Sequence, residues 1–206
     1  MNRIFIEAKH KDTAECNFIK AILRKYFPGI KCEFVFMDGY GNLFNEVVMN
    51  QLNISIDEDD DIMVLLDADS PQKGGGFNVR KKWVETHMSD ENITIPFFLY
   101  PNNKDDGDVE CLMEDIARHD VHKVWFDCFE DYEACVSGVK DELGERKYNT
   151  PNRKGKLHTY ISSMPLKTKE RNKLGSGNWL FDNMDYWDLS SEKLHPILDF
   201  LRNNIK

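Results

Sequence analysis

The chain has 206 residues, 41% of them hydrophobic and 12% aromatic, with a formal net charge of −9. That much apolar material excludes a disordered chain and suffices for one sizeable core. The negative balance excludes a generally basic nucleic-acid binder.

The first ten residues, "MNRIFIEAKH", carry Arg3, Glu7 and Lys9 and no apolar stretch of signal-peptide type. No apolar run anywhere approaches the ~20 residues of a membrane-spanning helix. A cytoplasmic protein with no membrane partner is therefore expected. Cys16, Cys32, Cys111, Cys128 and Cys135 show neither CxxC nor Cys/His zinc spacing and read as reduced thiols.

Residues 3–8 read as a short strand. Asp12-Thr13-Ala14-Glu15 reads as a capping box that opens a helix, with Ala14, Phe18, Ile22, Leu23 and Tyr26 on its apolar face. Pro28-Gly29 closes it. "CEFVFM" (32–37) is a second strand, 43–52 a helix and 62–67 a third strand. Gly74-Gly75-Gly76 reads as a mobile loop leading into a helix at 77–88; it matches no phosphate-loop or dinucleotide fingerprint. "ITIPFFLY" (93–100) is a fourth strand, and Pro96, lacking an amide donor, marks an edge or a strand end. Val109, Leu112, Met113 and Ile116 give the next helix its apolar stripe.

Strand and helix thus alternate through residues 1–118, the signature of an α/β fold around a parallel sheet. From 119 to 206 the pattern turns helical, at 121–138, 153–163 and 191–203. This second part is expected to pack on the first.

The stretch "DIMVLLDADS" (61–70) carries the chemistry. Four buried-type residues are followed by Asp67 and, two places on, Asp69. In open parallel sheets, function gathers at the carboxyl ends of the strands. Glu7 ends the first strand and Asp67 and Asp69 end the third, so three carboxylates would meet at one edge if those strands are neighbours. Two unit charges ~4 Å apart repel by roughly 4 kcal/mol at an effective dielectric of 20. A divalent cation, Mg²⁺ or Mn²⁺, would turn that repulsion into attraction and suits phosphoryl chemistry. The bland alternative has Asp67 capping a turn and Glu7 pairing with a lysine.

Charge is segregated. Residues 146–173 hold nine Lys/Arg against one acid, Glu170, a local +8 that leaves −17 on the rest of the chain. Arg153, Lys154 and Lys156 lie there as candidate nucleic-acid contacts, and Lys154 or Lys156 could reach a scissile phosphate, with an exposed solvated face as the alternative. Glu110 reads either as a further metal ligand or as an acid favoured in a first helical turn. Asn102 and Asn103 either orient a phosphate or make a turn. His10, His119 and His158 show no metal spacing.

"RIFIEAKHKDTAECNFIKAIL" followed by "DIMVLLDADS" resembles the Toprim domain of topoisomerases, bacterial primases and overcoming-lysogenization-defect nucleases. "FFLYPNNKDDGDVECLMEDIA", "RKGKLHTYIS" and "YWDLSSEKLHPILDFL" resemble small stand-alone bacterial Toprim-like proteins of unassigned activity. The resemblance implies a Rossmann-like parallel sheet flanked by helices, with a catalytic Glu at Glu7 and an Asp-x-Asp at Asp67 and Asp69. It also implies a link with phage defence. Ala8 departs from the glycine that usually follows the Glu.

These readings favour a Mg²⁺-dependent, nuclease-like phosphodiester-cleaving enzyme, with Glu7 as acid/base or ligand, Asp67 and Asp69 as ligands, and Lys156 with them in catalysis. The alternative is a non-catalytic module partnering another protein such as an ATPase. A phosphatase of the haloacid dehalogenase class also uses Asp-x-Asp, but after the first strand, where this chain has Glu7.

Overall fold

A computed structural model describes all 206 residues. Its centre is a four-stranded parallel sheet of β1 (Asn2–Ile6), β2 (Cys32–Phe36), β3 (Asp61–Asp67) and β4 (Phe97–Tyr100), in the order β2-β1-β3-β4. The fold is α/β and Rossmann-like. β1 and β3 are neighbours, with Ile6 opposite Leu65, so their carboxyl ends emerge side by side.

Strand side chains alternate between two cores, as a sheet covered on both faces requires. Ile4, Ile6, Met63, Leu65, Phe98 and Tyr100 point into the larger one. There they meet α1 (Ala14–Tyr26), α4 (Val109–Asp115), α6 (Arg153–Ser162) and α8 (His195–Asn204). Phe5, Val64, Leu66 and Leu99 face the other way, against α2 (Glu46–Asp57) and α3 (Phe77–Asp90). The larger core runs without a break from Ile4 to Leu201, so the helical C-terminal part closes one face of the sheet. No helix is long and apolar enough to cross a membrane.

Several boundaries differ from the sequence reading. β4 is only four residues long; Ile93 to Pro96 stay outside it, because proline cannot donate to the ladder. α2 begins at Glu46, where Asn45 accepts a hydrogen bond from the Val48 amide at 2.8 Å. α5 (Lys123–Gly138) starts two residues late, and a single-turn α7 (Thr168–Arg171) was not anticipated. The acidic run 57–61 lies at the amino edge of the sheet. There Asp60 holds Arg3 and the chain's amino group, and Asp61 holds Lys206.

The most consequential difference is at α1. The expected capping box from Asp12 to Glu15 does not form. Thr13 is the cap, its Oγ1 accepting from the Cys16 amide at 3.3 Å. That one-residue shift puts Cys16 where a capping Glu would stand and releases Glu15 for another role.

Candidate functional site

Glu7 lies one residue past β1, and its Oε1 accepts a hydrogen bond from the Asp67 amide at 2.8 Å. Asp67 ends β3, and its Oδ1 accepts from the Val109 amide, at the start of α4, at 2.8 Å. Two strand ends and a helix start are thereby tied together through two carboxylates. Ala8 has no positive φ, so the turn after Glu7 needs no glycine there.

Two further acids join them. Glu15, in the first turn of α1, and Glu110, in the first turn of α4, are near enough for their charges to act on Asp67 and on each other. Burial raises Glu15 to about 8, with Glu7 and Glu110 adding to the rise. Burial raises Glu7 to about 7; the Asp67 amide and Arg80 oppose it, and Asp69 adds to it. Asp67 is pushed well above the ordinary carboxylate range by burial and by Glu7, Glu15 and Glu110. Without a cation, Glu7, Glu15 and Asp67 are therefore pushed toward their protonated forms.

Asp69 takes a different place from the one expected. Arg80, 4% exposed, donates to Asp69 Oδ2 at 2.8 Å and to the Asp67 carbonyl at 3.2 Å. Lys73 adds a second cation 3.5 Å from Asp69 Oδ1. Asp69 is thus compensated by protein cations, while Glu7, Glu15 and Asp67 make no ion pair. The sequence did carry a signal for Arg80. It lies four residues before Val84 and eight before Met88, on the buried stripe of α3, where a charge needs a buried partner.

The triple glycine backs the Asp-x-Asp turn. Gly76 donates to the Ala68 carbonyl at 2.8 Å. A Cβ on Gly75 would fall 2.5 Å from Asp69 Cβ and 2.7 Å from the Ala68 oxygen. Gly75→Ala is expected to displace that turn and to cost about 1–3 kcal/mol in urea unfolding, as overpacking does; an unchanged midpoint would mean that the turn yields freely. Asn102 and Asn103 make a turn: Asn102 accepts from the Asp105 amide and Asn103 from the Leu99 amide.

The basic segment flanks the acids. Lys154 pairs with Glu110 at 2.9 Å. Burial lowers its pKa, but Glu110, Asp67 and Glu15 outweigh that and raise it. Arg153 pairs with Glu114 at 2.8 Å and reaches Asp108 at 3.5 Å. Lys156, the expected catalytic lysine, instead pairs with Glu114 at 2.8 Å and lies over the Phe126 and Phe129 rings. Lys154 is the lysine that faces the carboxylates.

The fit of a cation can be judged from these groups. The donors are all oxygens, as Mg²⁺ and Mn²⁺ prefer. Tyr100 Oη is buried with no hydrogen-bond partner, and Glu15, Asp67, Glu7 and Glu110 act on it electrostatically, so one more ligand or water is owed to the cluster. No three His, Cys, Asp or Glu side chains form a ready-made cage. Mg²⁺ needs none, since it keeps several waters and binds through one or two carboxylates and substrate phosphates. The residues present fit such an ion.

None of the three comparisons, with protein-family models, curated proteins or solved structures, finds a match to this chain.

Proposed function

We propose that the protein is a cytoplasmic, divalent-metal-dependent phosphodiester-cleaving enzyme of Toprim type, nuclease-like, with the role in phage defence that the resemblance implies. The observation that carries this reading is the set of carboxylates Glu7, Glu15 and Asp67, their pKa values pushed upward together at the carboxyl ends of β1 and β3 and the start of α1, with Glu110 beside them at the start of α4. Lys154 offsets Glu110, and a further cation would offset Glu7, Glu15 and Asp67, which make no ion pair. One or two of Glu7, Asp67, Glu15 and Glu110 would hold Mg²⁺ or Mn²⁺, which when bound would polarise a phosphate and neutralise charge developing on its oxygens. Asp69 acts one step back: through Arg80, which also holds the Asp67 carbonyl, it sets the direction of the Asp67 side chain. Lys154 supplies positive charge for the phosphate beside the acids.

Calorimetric titration of the metal-free protein with Mg²⁺ and with Mn²⁺ tests the reading. Saturable binding that releases protons at pH 7 is expected, together with Mg²⁺-dependent cleavage of labelled single- or double-stranded DNA or RNA. No heat and no proton release with either metal would sink it.

One observation favours a second reading, a binding module for another protein such as an ATPase. Only Phe126 and Phe129 of α5 are buried, while Val124 and Tyr132 on the same helix stand exposed, as do Val121, Val139 and Leu143 around it. Under that reading, partner binding would survive the loss of every carboxylate in the cluster.

A further inference from the structure

A cavity of about 450 Å³ lies between the start of α1, the first turns of α6 and the segment 174–179. Ala14, Leu174 and Trp179 form its apolar wall, and Asn152, Lys154 and His158 its polar one. The volume falls within the range of small-ligand sites, roughly 300–1,000 Å³.

The far wall is held rigidly. Gly177 has φ +68, and a Cβ there would fall 2.2 Å from the Thr13 carbonyl carbon, so only glycine lets this segment press against the start of α1. Asn17 Nδ2 donates to the Thr13 and Ser176 carbonyls, and Trp187 Nε1 donates to the Trp179 carbonyl at 2.8 Å. The wall is therefore preformed, with the Trp179 backbone held by that bond and its side chain packed in the core behind the cavity.

Lys154 and Asn152 also line a second cleft of about 380 Å³, with Lys73, Arg153, Asp108 and Glu110. The first cavity holds aromatic and apolar surface; the second holds three cations and no hydrophobic residue. They meet at Lys154, whose ammonium touches Glu110 of the carboxylate cluster. An apolar, aromatic-edged site next to a cationic one, joined beside the acids, has the alternation of a nucleic-acid strand: base, phosphate, phosphate.

We propose that the α1/α6 cavity takes one nucleoside of an unpaired strand, adjoining the phosphate held at Lys154, so that the substrate is single-stranded nucleic acid or a frayed end. This rests on the phosphodiesterase reading above. A base inside a duplex reaches a concave site only by leaving its stack, whereas a base on a single strand is already free to do so. His158, exposed at the rim with its ring 6.2 Å from that of Trp179 in the wall behind it, offers a face to any base, so recognition is by shape and stacking.

Gly175 supplies the test. It lines the cavity, its φ is not positive, and a Cβ on it meets nothing within 4 Å. Gly175→Leu therefore adds bulk at the cavity wall without backbone strain. AMP, dAMP and ribose 5-phosphate would be titrated calorimetrically into wild type, Gly175→Leu and His158→Ala, each with and without Mg²⁺. Wild type is expected to bind the two nucleotides at least tenfold tighter than ribose 5-phosphate. Gly175→Leu should abolish that preference with Mg²⁺ affinity unchanged, and His158→Ala should reduce it several-fold. The AMP-to-dAMP ratio reports whether the sugar is read. Equal affinity for all three ligands, no binding of any, or a preference that survives Gly175→Leu overturns the assignment. A base preference without any Mg²⁺ binding would keep the cavity and remove the metal reading.

Discussion

Free of metal and at pH 8, Asp67→Asn is expected to unfold at higher urea concentration than the wild type, while losing cleavage by roughly 10²–10⁴-fold. The sign follows from the way burial moves these groups. Glu7 rises from 4.5 to about 7 and Glu15 from 4.5 to about 8, chiefly by burial, with the neighbouring acids adding to the rise. A carboxyl whose folded pKa is raised binds its proton more tightly in the native state than in the unfolded one. Its destabilisation is absent below the unfolded value, grows as pH rises from about 4.5, and is complete above the folded value near 8. A tenfold change in proton affinity corresponds to about 1.4 kcal/mol, so the cluster costs the metal-free protein several kcal/mol across that window. Because the acids act on one another, their protons leave as a set. Asparagine at 67 removes the ionisable group at the centre of the set and keeps an oxygen to accept from the Val109 amide. The stability difference between variant and wild type should be small at pH 5 and widest at pH 8. Mg²⁺ at a hundred times its Kd should restore about 2.7 kcal/mol to the wild type and little to the variant. A difference that does not change with pH, or equal stabilisation of both proteins by Mg²⁺, would show that Asp67 neither crowds its neighbours nor binds the ion.

Much of this arrangement was legible in the residues, and what was not has identifiable physical causes. Alternating strands and helices, and the buried run Met63 to Leu66 ending in Asp67, follow from period and polarity, which depend only on local sequence. Glu7 and Asp67 follow from the same reading plus the rule about carboxyl edges. Glu15 was hidden by a one-residue ambiguity: Asp12 and Thr13 are both competent caps, and only the choice of Thr13 turns Glu15 toward the cluster. Arg80 was hidden because its partner is remote in sequence, although its place on the stripe of Val84 and Met88 marked it as buried. Lys154 and Lys156 could not be told apart from spacing. Two residues apart on a helix, they point about 200° around the axis from each other, one to Glu110 and the other to Glu114.

The exchange of Asp69 for Glu15 in the proposed ligand set changes what each acid does. An Asp-x-Asp turn places its two side chains unequally: Asp69 sits at φ +60, a left-handed conformation that aspartate tolerates. Its backbone pairs with Gly107 at 2.6 and 2.9 Å, and its carboxylate turns to Arg80. The second acid of the motif thus braces the first, through one guanidinium shared between Asp69 and the Asp67 carbonyl.

Binding of single-stranded nucleic acid in the presence of Mg²⁺ should depend on salt through Lys154 and Arg153 and not through Lys156. Each phosphate neutralised by Lys or Arg releases condensed counterions, so log affinity falls with log salt by about 0.7 per contact on single strands and about 0.9 on duplex. Arg153 and Lys154 have half-exposed side chains and line the cationic cleft, as do their acidic partners Asp108 and Glu110. A phosphate entering there can share both cations. Lys156 has a side chain only 14% exposed, is held by Glu114 and is packed over Phe126 and Phe129, so a phosphate would have to displace both a carboxylate and two rings to reach it. Replacing Arg153 and Lys154 together by Ala is therefore expected to flatten the salt slope by two contacts' worth, about 1.4 on a single strand. Lys156→Ala should leave the slope unchanged and act on stability instead, by loosening α5 from α6. The double variant should lose little stability, since partly exposed ion pairs contribute about 0–1 kcal/mol each. Anisotropy titrations of a labelled oligonucleotide from about 50 to about 200 mM salt, a range over which counterion release changes affinity steeply, measure all three slopes. A slope reduced by Lys156→Ala as much as by Lys154→Ala would mean that the whole basic segment, and not the cleft beside Glu110, carries the strand.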